Sequence, residues 1–287
     1  MQSLWMLAAS LLFALMAACS KLGAADFGTM ELVFYRSVFG TAVIGLWVLS
    51  KGFTVRTPLI LSHIKRSFLG TFGLTIWFYA IAHLPLGTAM TLNYTSPLYM
   101  AAFVAFMTMR RHEGQSWGLL ASVAAGFLGI TLVLQPEVRG GDELPALVGL
   151  ASGFFAAWAY LQVKELSAMR EPEWRIVFYF TLFGSVWGAA GQMLMGGFSP
   201  ITWENAPAIF GMGLTGTLAQ LCMTRAWGAG NLLLTSTLQY SAIVFAAILG
   251  LIIFGEPITI LSALGIAVII VAGVSATLLT KRRAKRG

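Results

Sequence analysis

The chain has 287 residues, of which 58% are hydrophobic and only 10% are charged. Soluble domains carry roughly a quarter charged residues, so this composition excludes a water-facing globular surface. The net charge of +7 does not point to nucleic acid, because the basic residues stand between apolar runs and at the C-terminus.

The apolar residues come in long runs rather than in short alternating strands. In hydrocarbon the backbone must satisfy its own hydrogen bonds, so such runs become helices. The first run closes on Met16-Ala17-Ala18-Cys19, loosely like a lipoprotein processing box. No Lys or Arg precedes it and further runs follow, so it reads as a first span and not as a cleaved signal. In chain order the spans fall near 3–22, 30–50, 67–83, 86–109, 115–135, 145–163, 174–195, 205–225, 231–254 and 258–280. The connections are short, some barely turns, as at His83-Leu84-Pro85-Leu86-Gly87. Cys19 and Cys222 sit inside apolar runs with neither metal-ligand nor CxxC spacing, which leaves no disulfide framework or metal site. No cofactor motif remains either. Gly211-Met212-Gly213-Leu214-Thr215-Gly216 satisfies GxGxxG but lies inside a span with no strand before it.

The basic residues set an orientation. With the N-terminus in the cytoplasm, fifteen of the eighteen Lys and Arg fall on the cytoplasmic side, among them Lys65, Arg66 and the tail from Lys281 to Arg286. Lys21, Arg36 and Arg139 remain for the other side. Both termini are therefore expected inside, with the basic tail beside anionic lipid.

The two halves of the chain repeat each other. Val33-Phe34-Tyr35 recurs as Val177-Phe178-Tyr179, and Thr91-Leu92-Asn93-Tyr94 as Thr237-Leu238-Gln239-Tyr240. Phe13-Ala14 matches Phe155-Ala156, and Gly129-Ile130 matches Gly273-Val274, at nearly one offset. Five spans per unit is an odd number, so the second copy must enter the membrane from the opposite side. The expected fold is all-α, ten transmembrane helices as two inverted five-helix repeats, residues 1–143 and 144–287. Inverted repeats are the architecture of alternating-access carriers, with a substrate site between the halves.

Polar groups inside the spans are the candidates for that site. Tyr79 and His83 share a face of the third span, and Phe155, Trp158 and Gln162 a comparable face of the sixth. Asn93 and Tyr94, with their repeat partners Gln239 and Tyr240, are expected to meet across a central cavity. Such a lining suits an amphipathic solute, with aromatic faces for an apolar part and amides for polar atoms. The alternative reading of these polar groups is hydrogen bonding between helices. Arg36 lies within two turns of a span end, where snorkelling or pairing with Glu31 or Asp26 competes with substrate contact. Glu113 and Glu256 fall at span ends, as caps or gate elements, and Pro97 interrupts the fourth span. No Asp or Glu stands at mid-span, which disfavours an ion-driven pump.

Phe34-Tyr35-Arg36-Ser37, Leu84-Pro85-Leu86-Gly87-Thr88-Ala89 leading to Ser96-Pro97, and Phe254-Gly255-Glu256-Pro257 resemble the EamA-type drug/metabolite transporter superfamily over the whole chain. The resemblance implies a ten-helix bundle whose cavity is lined by spans 1, 3, 4, 6, 8 and 9. It also implies transport of a small molecule across the bacterial inner membrane, its members including exporters of aromatic and other amino acids. Arg110-Arg111-His112-Glu113 departs from its counterpart Phe254-Gly255-Glu256-Pro257, so the end of the fourth span is expected to differ. Expected partners are the solute and the lipid bilayer, with no nucleic acid and no obligate protein partner. The alternatives are a carrier of an adenosyl or drug-like cation, and a membrane enzyme or scaffold that transports nothing.

Overall fold

In a computed structural model the described residues are 2–110, 142–230 and 238–284, with Thr235 and the positions 117–118, 121–122, 124–126, 128–129 and 132. All regular structure among them is helical. The helices are α1 (Trp5–Gly23), α2 (Thr29–Ser50), α3 (Ile60–His83), α4 (Leu86–Asn93), α5 (Ser96–Arg110), α6 (Glu143–Ala168), α7 (Glu173–Leu194), α8 (Ala206–Ala229), α9 (Ser241–Phe254) and α10 (Ile260–Ala284). The described positions between 117 and 132 are helical as well. Glu113, Thr237, Lys285 and Arg286 lie outside the described residues.

Among the described residues five helical stretches are long and apolar enough to cross a membrane: Gln2–Gly23, Thr29–Ser50, Glu143–Ala168, Glu173–Leu194 and Ala206–Ala229. Helix α3 matches them in length but carries His63, Lys65 and Arg66 in its first two turns. Many large apolar side chains face outward, among them Leu46, Leu49, Val186, Leu194 and Ile252. That surface would be untenable in water and is the ordinary one in lipid, which solvates it as well as a protein core would.

The largest contacts join distant parts of the chain: α1 with α8, α2 with α7, and α3 with α6. Small residues permit them. A Cβ on Gly188 would stand 2.6 Å from the Phe34 backbone nitrogen, so α2 and α7 meet backbone against backbone at that point. Around this framework α4 and α9 pack on each other, α4 and α5 on α6, and α9 on α1.

Charged side chains tie the ends of the bundle. At the end that holds the α1 C-terminus, Glu256 accepts from Lys21 Nζ and, at 2.7 Å, from the backbone N–H of Leu86. Lys21 also donates to the Leu84 carbonyl at 2.6 Å. One carboxylate thus caps the otherwise orphaned start of α4 and joins the helix ends around it. Gly255 makes this possible by turning the chain with φ of 63°, a left-handed conformation suited to glycine. On the same end Glu31 accepts from the N–H of Gly28 at 2.8 Å and from the Ser199 hydroxyl at 3.0 Å. At the opposite end Glu171 accepts from the Thr57 hydroxyl and from Arg175 Nη1 at 2.9 Å, which ties the segment after α2 to the turn before α7.

Candidate functional site

A small cavity of about 60 Å³ lies within the bundle. Phe13 of α1, Asn93 of α4 and Phe180 of α7 line it, with Arg66, Gly70, Gly73, Leu74 and Trp77 of α3. Ala156, Ala159 and Tyr160 of α6 and Gln220 and Met223 of α8 complete the wall. The α3 residues recur at three- and four-residue intervals, so one stripe of that helix faces inward over three turns. The lining mixes aromatic rings, two amides, a phenol and one guanidinium.

Asn93 is fixed rather than free. Its amide donates to Ser152 Oγ at 2.9 Å, and Ser152 in turn donates to the Gly149 carbonyl at 2.6 Å. It stands where the fourth span breaks, since α4 ends at Asn93 and α5 begins at Ser96. Pro97 has no N–H for the carbonyl four residues before it, which is that of Asn93. The Thr95 hydroxyl donates to the Leu92 carbonyl at 2.6 Å and closes the turn. Gly153 of α6 sits against the break, where a Cβ would come within 2.8 Å of Leu92 O and 3.0 Å of Asn93 O.

The ninth span shows the same local structure. Residues 238–239 are helical, Tyr240 is a turn, and α9 starts at Ser241. The Ser241 hydroxyl donates to the Leu238 carbonyl at 2.6 Å, as Thr95 does to Leu92. Gln239 donates to Ser96 Oγ at 3.4 Å, so the two breaks touch. Ser10 of α1 donates to the Leu238 carbonyl at 3.3 Å.

The other expected site residues are distributed unevenly. Tyr94, Gln239 and Tyr240 are buried near the breaks but do not line the cavity, and Tyr240 lies against Gly273. Tyr79 and His83 do share a face, with ring centroids 4.3 Å apart, yet His83 is exposed at the end of α3. Phe155 packs edge-to-face on Phe72 of α3 with ring centroids 4.8 Å apart. Trp158 is 43% exposed on the outer surface, and Gln162 is turned to Glu165 at 3.1 Å. The cavity face of α6 is the neighbouring one, Ala156, Ala159 and Tyr160. Phe180 brings α7 into the wall, a helix outside the expected set.

Arg36 neither snorkels nor pairs with Glu31, whose carboxylate is taken up by Gly28 and Ser199. It is 1% exposed, and its Nη2 donates to Gln220 Oε1 at 3.4 Å. Gln220 stands four turns into α8, so the side chain runs inward, away from the nearer helix end. Arg66, counted above among the cytoplasmic charges, is only 2% exposed. Both guanidiniums lie over the Phe180 ring, at 4.9 Å for Arg36 and 4.5 Å for Arg66. A charge at the centre of a spanning helix costs about 2.5–3.5 kcal/mol on insertion scales, and a cation–π contact returns about 0.5–2. Two such arginines are therefore a large commitment for the fold. Spacing alone offered one signal for them: Arg66, Gly70, Gly73 and Trp77 share a helical stripe. Among the described residues no group of three His, Cys, Asp or Glu side chains stands together as metal ligands.

Apolar helices packed around a partly polar internal cavity define a membrane transporter of the helix-bundle class. The chain belongs to the EamA-like transporter family, whose pattern matches it twice, over residues 1–135 and 144–278. It is 31% identical to the pseudopaline exporter CntI of Pseudomonas aeruginosa, over 92% of this chain and 91% of that protein. It is 25% identical to a riboflavin transporter of Vibrio cholerae, over 88% of this chain and 85% of the relative. An S-adenosylmethionine uptake transporter of Rickettsia bellii is 26% identical, over 79% and 76% of the two chains. A crystal structure of a protein 21% identical to this one superimposes with a TM-score of 0.65, covering 96% of this chain and 98% of that one. The chain is thus a transporter and not an enzyme.

Proposed function

We propose that the chain is an alternating-access carrier of ten transmembrane helices, built as two inverted repeats over residues 1–143 and 144–287. It moves amino acids or related metabolites out across the bacterial inner membrane, by facilitated diffusion or exchange, with both termini in the cytoplasm. The observation that carries this reading is the central cavity with broken helices beside it. Discontinuous helices at corresponding places in two halves are the usual surroundings of a carrier's substrate site.

The helix contacts support the inverted repeat. Exchanging each span with the fifth one after it turns the α1–α8 contact into α6–α3 and leaves α2–α7 on the axis. The same exchange turns the contact of α9 with α1 into that of α4 and α5 with α6. The paired hydroxyl-to-leucine turns at Thr95 and Ser241 follow the same rule. A two-fold of this kind supplies two states of similar energy, opening to opposite sides. The exporter from Pseudomonas aeruginosa supports outward movement.

The test is counterflow in proteoliposomes loaded in turn with Phe, Trp, Met and Thr. Exchange of at least one labelled amino acid is expected, and no movement of any amino acid would remove the substrate class. Competition by S-adenosylmethionine or ethidium in the same vesicles distinguishes the cation carrier. The uptake relative from Rickettsia keeps that second reading in play.

A further inference from the structure

Among the described residues the two buried arginines have more donors than there are acceptors bonded to them. Among the described residues neither makes an ion pair, and Nε and Nη1 of both have no hydrogen-bond partner. Gln220 Oε1, at 3.4 Å from Arg36 Nη2, is a neutral acceptor. The Phe180 ring offers both guanidiniums an electron-rich face but no lone pair. Buried charges are normally paired or hydrogen-bonded, and intramembrane ones mark substrate paths. Arg66 and Gln220 line the cavity themselves. Gly70 keeps the place open, since a Cβ there would overlap Arg66 Nη1.

We propose that Arg36, Arg66 and Gln220 form an anion subsite that takes the carboxylate of the transported solute. This rests on the transport reading above and narrows it. A guanidinium presents parallel N–H donors whose fork matches a carboxylate, which makes arginine the usual choice for such recognition. A carboxylate arriving from the cavity meets the unpartnered donors of Arg66 and adds the charge that the two guanidiniums lack. Phe13 and Trp77 stand on the same cavity wall for the apolar part of the solute. The class is an amphipathic organic acid, amino acids included. A solute with positive charge and no acid group is excluded by the same two arginines.

The test uses the full chain purified in detergent and the same chain in proteoliposomes. In detergent the probes are 3-phenylpropionate, its uncharged amide and inorganic phosphate, and the readout is the melting temperature. The acid is expected to raise it with concentration and the amide to leave it unmoved. Arg66→Gln is expected to weaken half-saturation by about tenfold or more, with Arg66→Lys intermediate. Equal shifts with acid and amide overturn the subsite, as does a shift with phosphate alone. An Arg66→Gln protein that melts lower yet keeps the full response to the acid also overturns it, leaving the arginines structural. If that variant does not fold, the acid–amide comparison on the wild-type chain decides. Counterflow separates this proposal from the reading beneath it. Amino acid flux indifferent to 3-phenylpropionate removes the subsite and leaves the carrier. Acid-specific stabilisation with no flux of any solute supports the subsite and removes the carrier.

Discussion

Arg66 stands in the sequence beside Lys65, in what reads as an ordinary basic connection before the third span. The helix in fact begins at Ile60, which carries Arg66 about 9 Å along α3 and into the bundle. Hydropathy marks where a charge-free window starts and not where the helix starts, so a buried arginine near a span end is taken for a topological charge. Glu171 gives a residue-scale test at the other polar cluster. Burial raises its pKa, but the Thr57 hydroxyl and the Arg175 guanidinium outweigh that and hold it below the usual carboxylate value. His63 Nε2 lies 3.6 Å away. A lowered native pKa contributes stability that is complete above the unfolded value, about 4.3, and is lost as pH falls through the native one. Glu171→Gln should therefore melt below the wild type at pH 7, with the difference shrinking as pH falls below about 4 and gone once pH lies below the lowered native pKa. A difference that grew on acidification would contradict the assignment. Glu256→Gln should cost about 1–3 kcal/mol in reversible unfolding, because Lys21 keeps only the Leu84 carbonyl and loses its carboxylate.

At the scale of elements, the all-helical build and the five long apolar helices were legible because length and apolar composition determine them. Which face of each span looks inward was not. Lipid is as apolar as a protein core, so Trp158 on the outer surface and Phe13 beside the cavity carry the same hydropathy signal. Trp158→Ala should accordingly leave counterflow near the wild-type rate. The span at 86–109 resolves into α4 and α5, and Pro97 marked that break in the sequence. The matching break at Tyr240 has no proline, and only the repeat of Leu-Asn/Gln-Tyr pointed to it. Gly153 and Gly188 stand at close helix contacts. Their surroundings favour packing, since a Cβ on either would press on the backbone of a neighbouring helix. Gly188→Ala should cost about 1–3 kcal/mol through overpacking at the α2–α7 crossing. An unchanged unfolding free energy would show that the two helices part easily there.

For the molecule as a whole, the proposed inverted repeat would set the cavity between the two halves. Composition said membrane and the odd number of spans per copy said inversion. The cavity wall followed from neither, because it depends on the rotation of α3, α6 and α7 about their axes. The claim that this cavity is the path of the solute is tested most directly by filling it. Ala156→Phe adds a ring to the α6 wall, and counterflow of the amino acid that the wild type exchanges is measured in proteoliposomes with folded protein verified by its melting curve. The account predicts that flux falls by at least about tenfold, a modest barrier for a blocked path. Flux at the wild-type rate through the filled protein would contradict it.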